Sequence, residues 1–124
     1  MVRPLRAGEV ALLIQFKKGR DSRPTLTCIR KDGSRTWNQV HPFFPEHDMT
    51  HLAVERALRL REAFFGLVAA GWSLDRFAEP GMSKQLPADA ILAEHAVGLL
   101  DRAEMSAAWQ ALPPGSTLDL EYSP

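Results

Sequence analysis

Two imidazoles four residues apart, with carboxylates beside and beyond them, make residues 45–55 the segment best equipped for chemistry. The run reads Pro-Glu-His-Asp-Met-Thr-His-Leu-Ala-Val-Glu, and its polar groups are His47, Asp48, His51 and Glu55. If the run is helical, all four side chains fall within an arc of about 100° and can converge on one ion. Histidines at this spacing grip zinc or another borderline divalent metal. A carboxylate one turn further on can complete the set or orient a ligand. On this reading His47 and His51 are metal ligands, Asp48 is the base or orienter, and Glu55 supports them. A metal next to an acid suits hydrolysis. His95, at helical spacing among Ile91, Leu92 and Leu99, is the candidate third ligand from elsewhere in the chain.

The same residues allow plainer roles. Asp48 can be a helix N-cap, which leaves His47 outside the helix. The positive end of that helix then favours a small anion over a cation, so a small anionic ligand stays open. Glu55, Arg59 and Glu62 stand at the spacing of ion pairs along a solvated helix face. His51 can be a half-buried core residue beside Phe43, Phe44 or Leu58.

The run resembles the zincin motif His-Glu-x-x-His, with Asp48 where that motif has glutamate. The side chain is shorter by about 1.5 Å, and no second segment supplying the family's third ligand is visible. The chain is also similar to a group of bacterial proteins bearing Pro-x-His-Asp-x-x-His-x-x-Val-Glu, followed by a Phe/Trp-Gly-Leu…Gly-Trp segment. Here these are Pro45, His47, Asp48, His51, Val54 and Glu55, then residues 65–72 ending in Gly71-Trp72. That resemblance implies no activity and adds no chemistry.

The elements that must position these residues follow from periodicity. Val10, Leu12, Ile14 and Phe16 alternate, and Ala11 and Leu13 make the other face apolar too, as in a central strand. Residues 25–30 are rich in β-branched types. Asp32-Gly33 is a hairpin signal, and a third strand over 35–40 is expected to turn Trp37 into the core. Pro42 and Pro45 end the sheet. A helical pattern runs from about Asp48 to Ala70, capped at Gly71, and a short turn follows over 74–79. A second long helix is expected from Pro87 to about Leu112. Leu118, Leu120 and Tyr122 alternate with Asp119 and Glu121 in a last strand. The order β-β-β-α-α-β predicts an α+β fold, one domain over 1–124, with two long helices on one face of an antiparallel sheet. If the first strand is central, the strand order is 3-2-1-4.

Composition sets bounds on partners. The chain has 124 residues, is 45% hydrophobic and 24% charged, and so can build one globular core. Residues 1–40 hold nine Lys/Arg against three acids, and residues 41–124 hold six against twelve, giving +6 and −6. Charged edge strands explain the basic half better than nucleic acid does. A rival to the metal reading is a non-catalytic interaction module that uses the two oppositely charged halves, with a homo-oligomer among its forms. Cys28 is single and reads as a small core residue, which fits a cytoplasmic location. No apolar stretch is long enough to span a membrane, and glycine spacing gives no phosphate loop.

Overall fold

The computed structural model describes residues 10–42, 44–100 and 102–123. Four strands form one antiparallel sheet: Leu12–Lys17 (β1), Thr25–Arg30 (β2), Arg35–Gln39 (β3) and Thr117–Tyr122 (β4), in the order β3-β2-β1-β4. The turn at Asp32-Gly33 closes as its sequence demands. Gly33 takes a positive φ of 89°, and Asp32 Oδ1 accepts the Ser34 N–H at 2.8 Å. β4 returns to the free edge of β1, so β1 is central, as its two apolar faces require.

Register decides which side chains meet the helices. Ile14 sits between Cys28 and Leu120, and Phe16 between Leu26 and Leu118. Leu12, Ile14, Phe16 and Cys28 are fully buried on this face, each large apolar side chain contributing about 1.5–3 kcal/mol. Trp37 breaks the expectation. It pairs with Thr27, the neighbour of Cys28, so strand parity turns it away from the helices and leaves it 63% exposed.

Each expected long helix is divided in two. The first stretch gives Phe44–Ala57 (α1) and Phe64–Ala69 (α2); the second gives Ala88–Leu99 (α3) and Ala103–Ala111 (α4). Two 3-10 turns, Leu74–Ala78 and Met82–Lys84, lie between the pairs. α1 ends because Arg59 adopts a left-handed φ of 54°. The Leu60 N–H then reaches back to Glu55 O at 2.9 Å and the Arg59 N–H to Arg56 O at 3.2 Å, a Schellman closure with arginine where glycine is usual. α2 ends in the same closure with the expected glycine. The Trp72 N–H donates to Leu67 O and the Gly71 N–H to Val68 O, each at 3.0 Å, with Gly71 at φ 120°. α3 stops where Leu100 turns to extended backbone at ψ 142°.

α1, α2 and α4 cover one face of the sheet through Met49, Leu52, Phe65, Val68 and Trp109. α3 lies on α1 instead, burying the small side chains Ala90, Ala93 and Val97. Gly66 lets the start of α2 come close to its surroundings, since a Cβ there would meet Arg61 O and the Tyr122 hydroxyl. Lys18 holds the end of α4 by donating to the carbonyls of Trp109, Gln110 and Leu112 at 2.7–3.2 Å. The result is an α+β fold, and no helix among the described residues is long and apolar enough to cross a membrane.

Candidate metal centre

α1 begins at Phe44, so Asp48 lies inside the helix and is not its N-cap. Pro45 is tolerated there because first-turn N–H groups have no helical partner. His47, Asp48, His51 and Glu55 therefore share one helix. His47 and His51 meet edge to face, ring centroids 4.7 Å apart.

Glu55 does not belong to a solvated ion-pair face. Its side chain is fully buried. One oxygen accepts the Phe65 N–H at 2.8 Å and the other faces His51 Nδ1 at 3.2 Å. Phe65 stands at the start of α2, whose N-cap position is Ala63, a residue with no capping group. The Glu55 carboxylate thus supplies from α1 the cap that α2 lacks. With Nδ1 held by Glu55, His51 presents Nε2 outward, 3.3 Å from Glu94 Oε1.

Glu94 is the site residue that sequence reasoning missed. It sits on α3, and its side chain is 60% exposed. Its neighbour His95, the sequence candidate, is exposed and lies outside the group of ligand atoms. Ile91, Leu92 and Leu99 are exposed as well, Leu99 at 88%. The apolar residues spaced around His95 thus form an outward face. The inward face is made of Ala90, Ala93 and Val97, whose small size brings α3 close enough for Glu94 to reach His51. One ligand atom each from His47, His51 and Glu94 lie within 4.8 Å of one another, so these three residues could hold a metal ion. In a tetrahedral zinc site with bonds of 2.0–2.1 Å, neighbouring ligand atoms stand about 3.3 Å apart, and the His51–Glu94 separation is that of one such edge.

The electrostatics express three carboxylates around two rings. Burial pushes the Asp48 carboxyl up to about 7; the His51 charge opposes this, and Glu55 and Glu94 add to it. Burial works against charge on His51, but its bond to Glu55 and the charges of Glu94, Glu55 and Asp48 outweigh this and raise its pKa. Carboxylates only accept, so a metal-free His51 satisfies both Glu55 and Glu94 when both ring nitrogens carry protons. His47 moves the other way, lowered by burial, then by His51 and Arg102. Arg102 Nη1 donates to His47 Nδ1 at 2.8 Å. Guanidinium cannot accept, so that nitrogen carries the lone pair. Glu46, also on α1, is buried with one oxygen lacking a partner among the described residues, and burial raises its pKa; it is not part of the metal-ligating group.

A groove of about 420 Å³ opens beside these residues and includes His47, Asp48, His51 and Glu94 in its lining. The rest of its wall joins the apolar Leu26, Val40, Phe44, Phe64, Leu74 and Ala78 to the polar Arg23, Asn38, Gln39 and His41. His41 also lines the groove, with its ring 5.8 Å from that of Phe44. Cys28 is fully buried in the core, and burial raises its thiol to about 12, which makes it inert as a nucleophile. No family model, curated protein or solved structure matches the chain.

Proposed function

We propose that the protein binds a divalent metal of the zinc class on His47, His51 and Glu94, and that the metal acts on a small molecule held in the adjoining groove. Two imidazoles and one carboxylate are a ligand set typical of zinc centres that keep an open position. Hydrolysis is the reaction class that such a set fits best, with Asp48 in the same groove wall as the group to take or give a proton. The supporting observation is the line Glu55–His51–Glu94. A buried carboxylate fixes one ring nitrogen, and the other nitrogen meets an outward carboxylate at 3.3 Å. Carboxylates placed behind metal-ligating histidines set the ring orientation and make the ligand more basic.

The test is zinc titration of metal-stripped protein, with elemental analysis after dialysis. Wild type should hold zinc in equimolar amount. His51→Ala should hold none, Glu94→Gln should bind at least about tenfold more weakly, and His95→Ala should match wild type. Full metal in His51→Ala, or no uptake by wild type, would overturn the proposal. Loss of zinc in His95→Ala with retention in Glu94→Gln would overturn the ligand assignment.

A further inference from the structure

We propose that the groove takes an amphipathic organic anion, a carboxylate on an apolar body. Its head lies at the His47–His51–Glu94 end and its body lies between α1 and the neighbouring corner of the sheet. This identifies the ligand class of the metal site above and rests on that reading.

The walls suit an apolar body. Leu26 comes from β2, Val40 from the end of β3, Phe44 from α1, Phe64 from α2 and Leu74 from the following 3-10 turn. A volume of about 420 Å³ lies within the range of sites that enclose a small molecule, and such sites are mostly apolar with a few polar groups at one place. Here His47, His51 and Glu94 stand together with Asp48 in the same wall, and Arg23, Asn38, Gln39 and His41 are its other polar residues.

The charge of the site selects a negative head. A divalent ion held by two neutral imidazoles and the Glu94 carboxylate keeps a positive surplus. Glu55 is occupied by the Phe65 N–H and by His51, so it faces the backbone and not the groove. Asp48 is the remaining acid in the wall, and Arg23 in the same wall offsets it. Arg102 then decides the balance. Its bond to His47 Nδ1 cannot coexist with a metal on that ring. If the metal takes Nδ1, it occupies the place of the guanidinium. If it takes Nε2, the proton moves to Nδ1, which can no longer accept. Metal on Nε2 would free Arg102 on the opposite side of the ring, whereas metal on Nδ1 frees it beside the ion. There it can donate a bidentate pair of hydrogen bonds to a ligand carboxylate.

The experiment is calorimetric titration of the full chain, first with zinc and then with acetate, butanoate, hexanoate, octanoate and 1-octanol. On zinc-loaded protein, affinity should rise by ~fourfold per added methylene. Octanoate should bind at least about tenfold tighter than 1-octanol, the return of a charge-assisted hydrogen bond, and Arg102→Gln should erase most of that preference. Ala78→Trp, at an exposed position of the groove wall, should weaken octanoate while leaving acetate and zinc unchanged. Zinc uptake with no chain-length dependence, or equal binding of octanoate and octanol, would overturn this inference alone. Absence of zinc uptake would overturn the metal reading and this inference with it.

Discussion

Changing Glu55 to Gln keeps the size of the side chain and alters only which atoms donate. The amide oxygen can still accept the Phe65 N–H, now at 2.8 Å from a carboxylate oxygen. The amide nitrogen then faces His51 Nδ1, where the carboxylate oxygen stands at 3.2 Å. Because NH2 only donates, the ring must accept at Nδ1 and carry its proton on Nε2. That is the nitrogen facing Glu94, and a protonated Nε2 has no lone pair for a metal. Restoring the lone pair requires the amide to flip, which leaves the buried Phe65 N–H without an acceptor at about 1–3 kcal/mol. Zinc affinity should therefore fall by roughly 5–150-fold, a range that includes the 10–100-fold typical of lost partners behind histidine ligands.

Stability should respond differently. Glu55→Gln keeps the packing and the Phe65 contact, so metal-free protein should lose about 1–2 kcal/mol, the difference between a charged and a neutral hydrogen bond. Glu55→Ala removes the acceptor, leaves a cavity at a fully buried position and strips His51 of its partner. A loss of about 4 kcal/mol follows. Urea unfolding of metal-free protein, together with competition against a chromophoric chelator for zinc, separates the two effects. If Glu55→Gln binds zinc as tightly as wild type, the tautomer argument is wrong. If it unfolds as readily as Glu55→Ala, the carboxylate is structural support and nothing more.

In metal-free protein, Asp48 has its pKa raised from 3.8 to about 7, chiefly by burial. A folded pKa above the unfolded one gives stability that is full below about pH 4 and lost as pH rises to about 7. The shift corresponds to about 4 kcal/mol. Asp48→Asn should thus be more stable than wild type at pH 8 and close to it at pH 4, measured as urea midpoints across pH. The raised pKa of His51 leaves a slope of the same sign, and an unchanged slope in the variant would count against the buried acid. Arg59→Gly places glycine at a left-handed φ of 54° and should stabilise by about 0.5–1 kcal/mol. A lower melting temperature in that variant would show that the arginine is not strained there.

The sheet was legible because each signal in it is local. Alternation placed β1 at the centre, Asp32-Gly33 made the hairpin, and Leu118–Tyr122 formed a strand beside β1. Gly71 marked a helix end that the backbone closes as expected. The break at Arg59 carried no glycine, so nothing local distinguished it from the middle of a long helix. The face of α3 departs from its hydrophobic pattern for a related reason. Ile91, Leu92 and Leu99 outweigh Ala90 and Ala93 in hydrophobicity, yet the alanines pack, since only small side chains allow α3 to approach α1. His47, His51, Asp48 and Glu55 were identifiable from one helical arc. Glu94 was not, because its partner lies more than forty residues away. The one signal that could have found it is the spacing of Ala90, Ala93 and Val97, which sets Glu94 at the margin of the packing face.

The break that sequence patterning missed is the feature on which the site geometry depends. An uninterrupted helix from Phe44 to Ala70 would carry Phe65 about 15 Å beyond Glu55 along its axis. No side chain could then bridge them, and the Glu55 carboxylate would have no backbone donor. The left-handed turn at Arg59 redirects the chain, and the first turn of α2 points its Phe65 N–H at Glu55. With one oxygen fixed in this way, the other holds the His51 ring, and the ring aims Nε2 at Glu94. A non-glycine residue in the left-handed region costs about 1–2 kcal/mol. A charge-assisted bond from a buried N–H to a carboxylate returns about 1.5–3 kcal/mol, enough to offset that strain. Strain at Arg59 and orientation at His51 are therefore two ends of one arrangement.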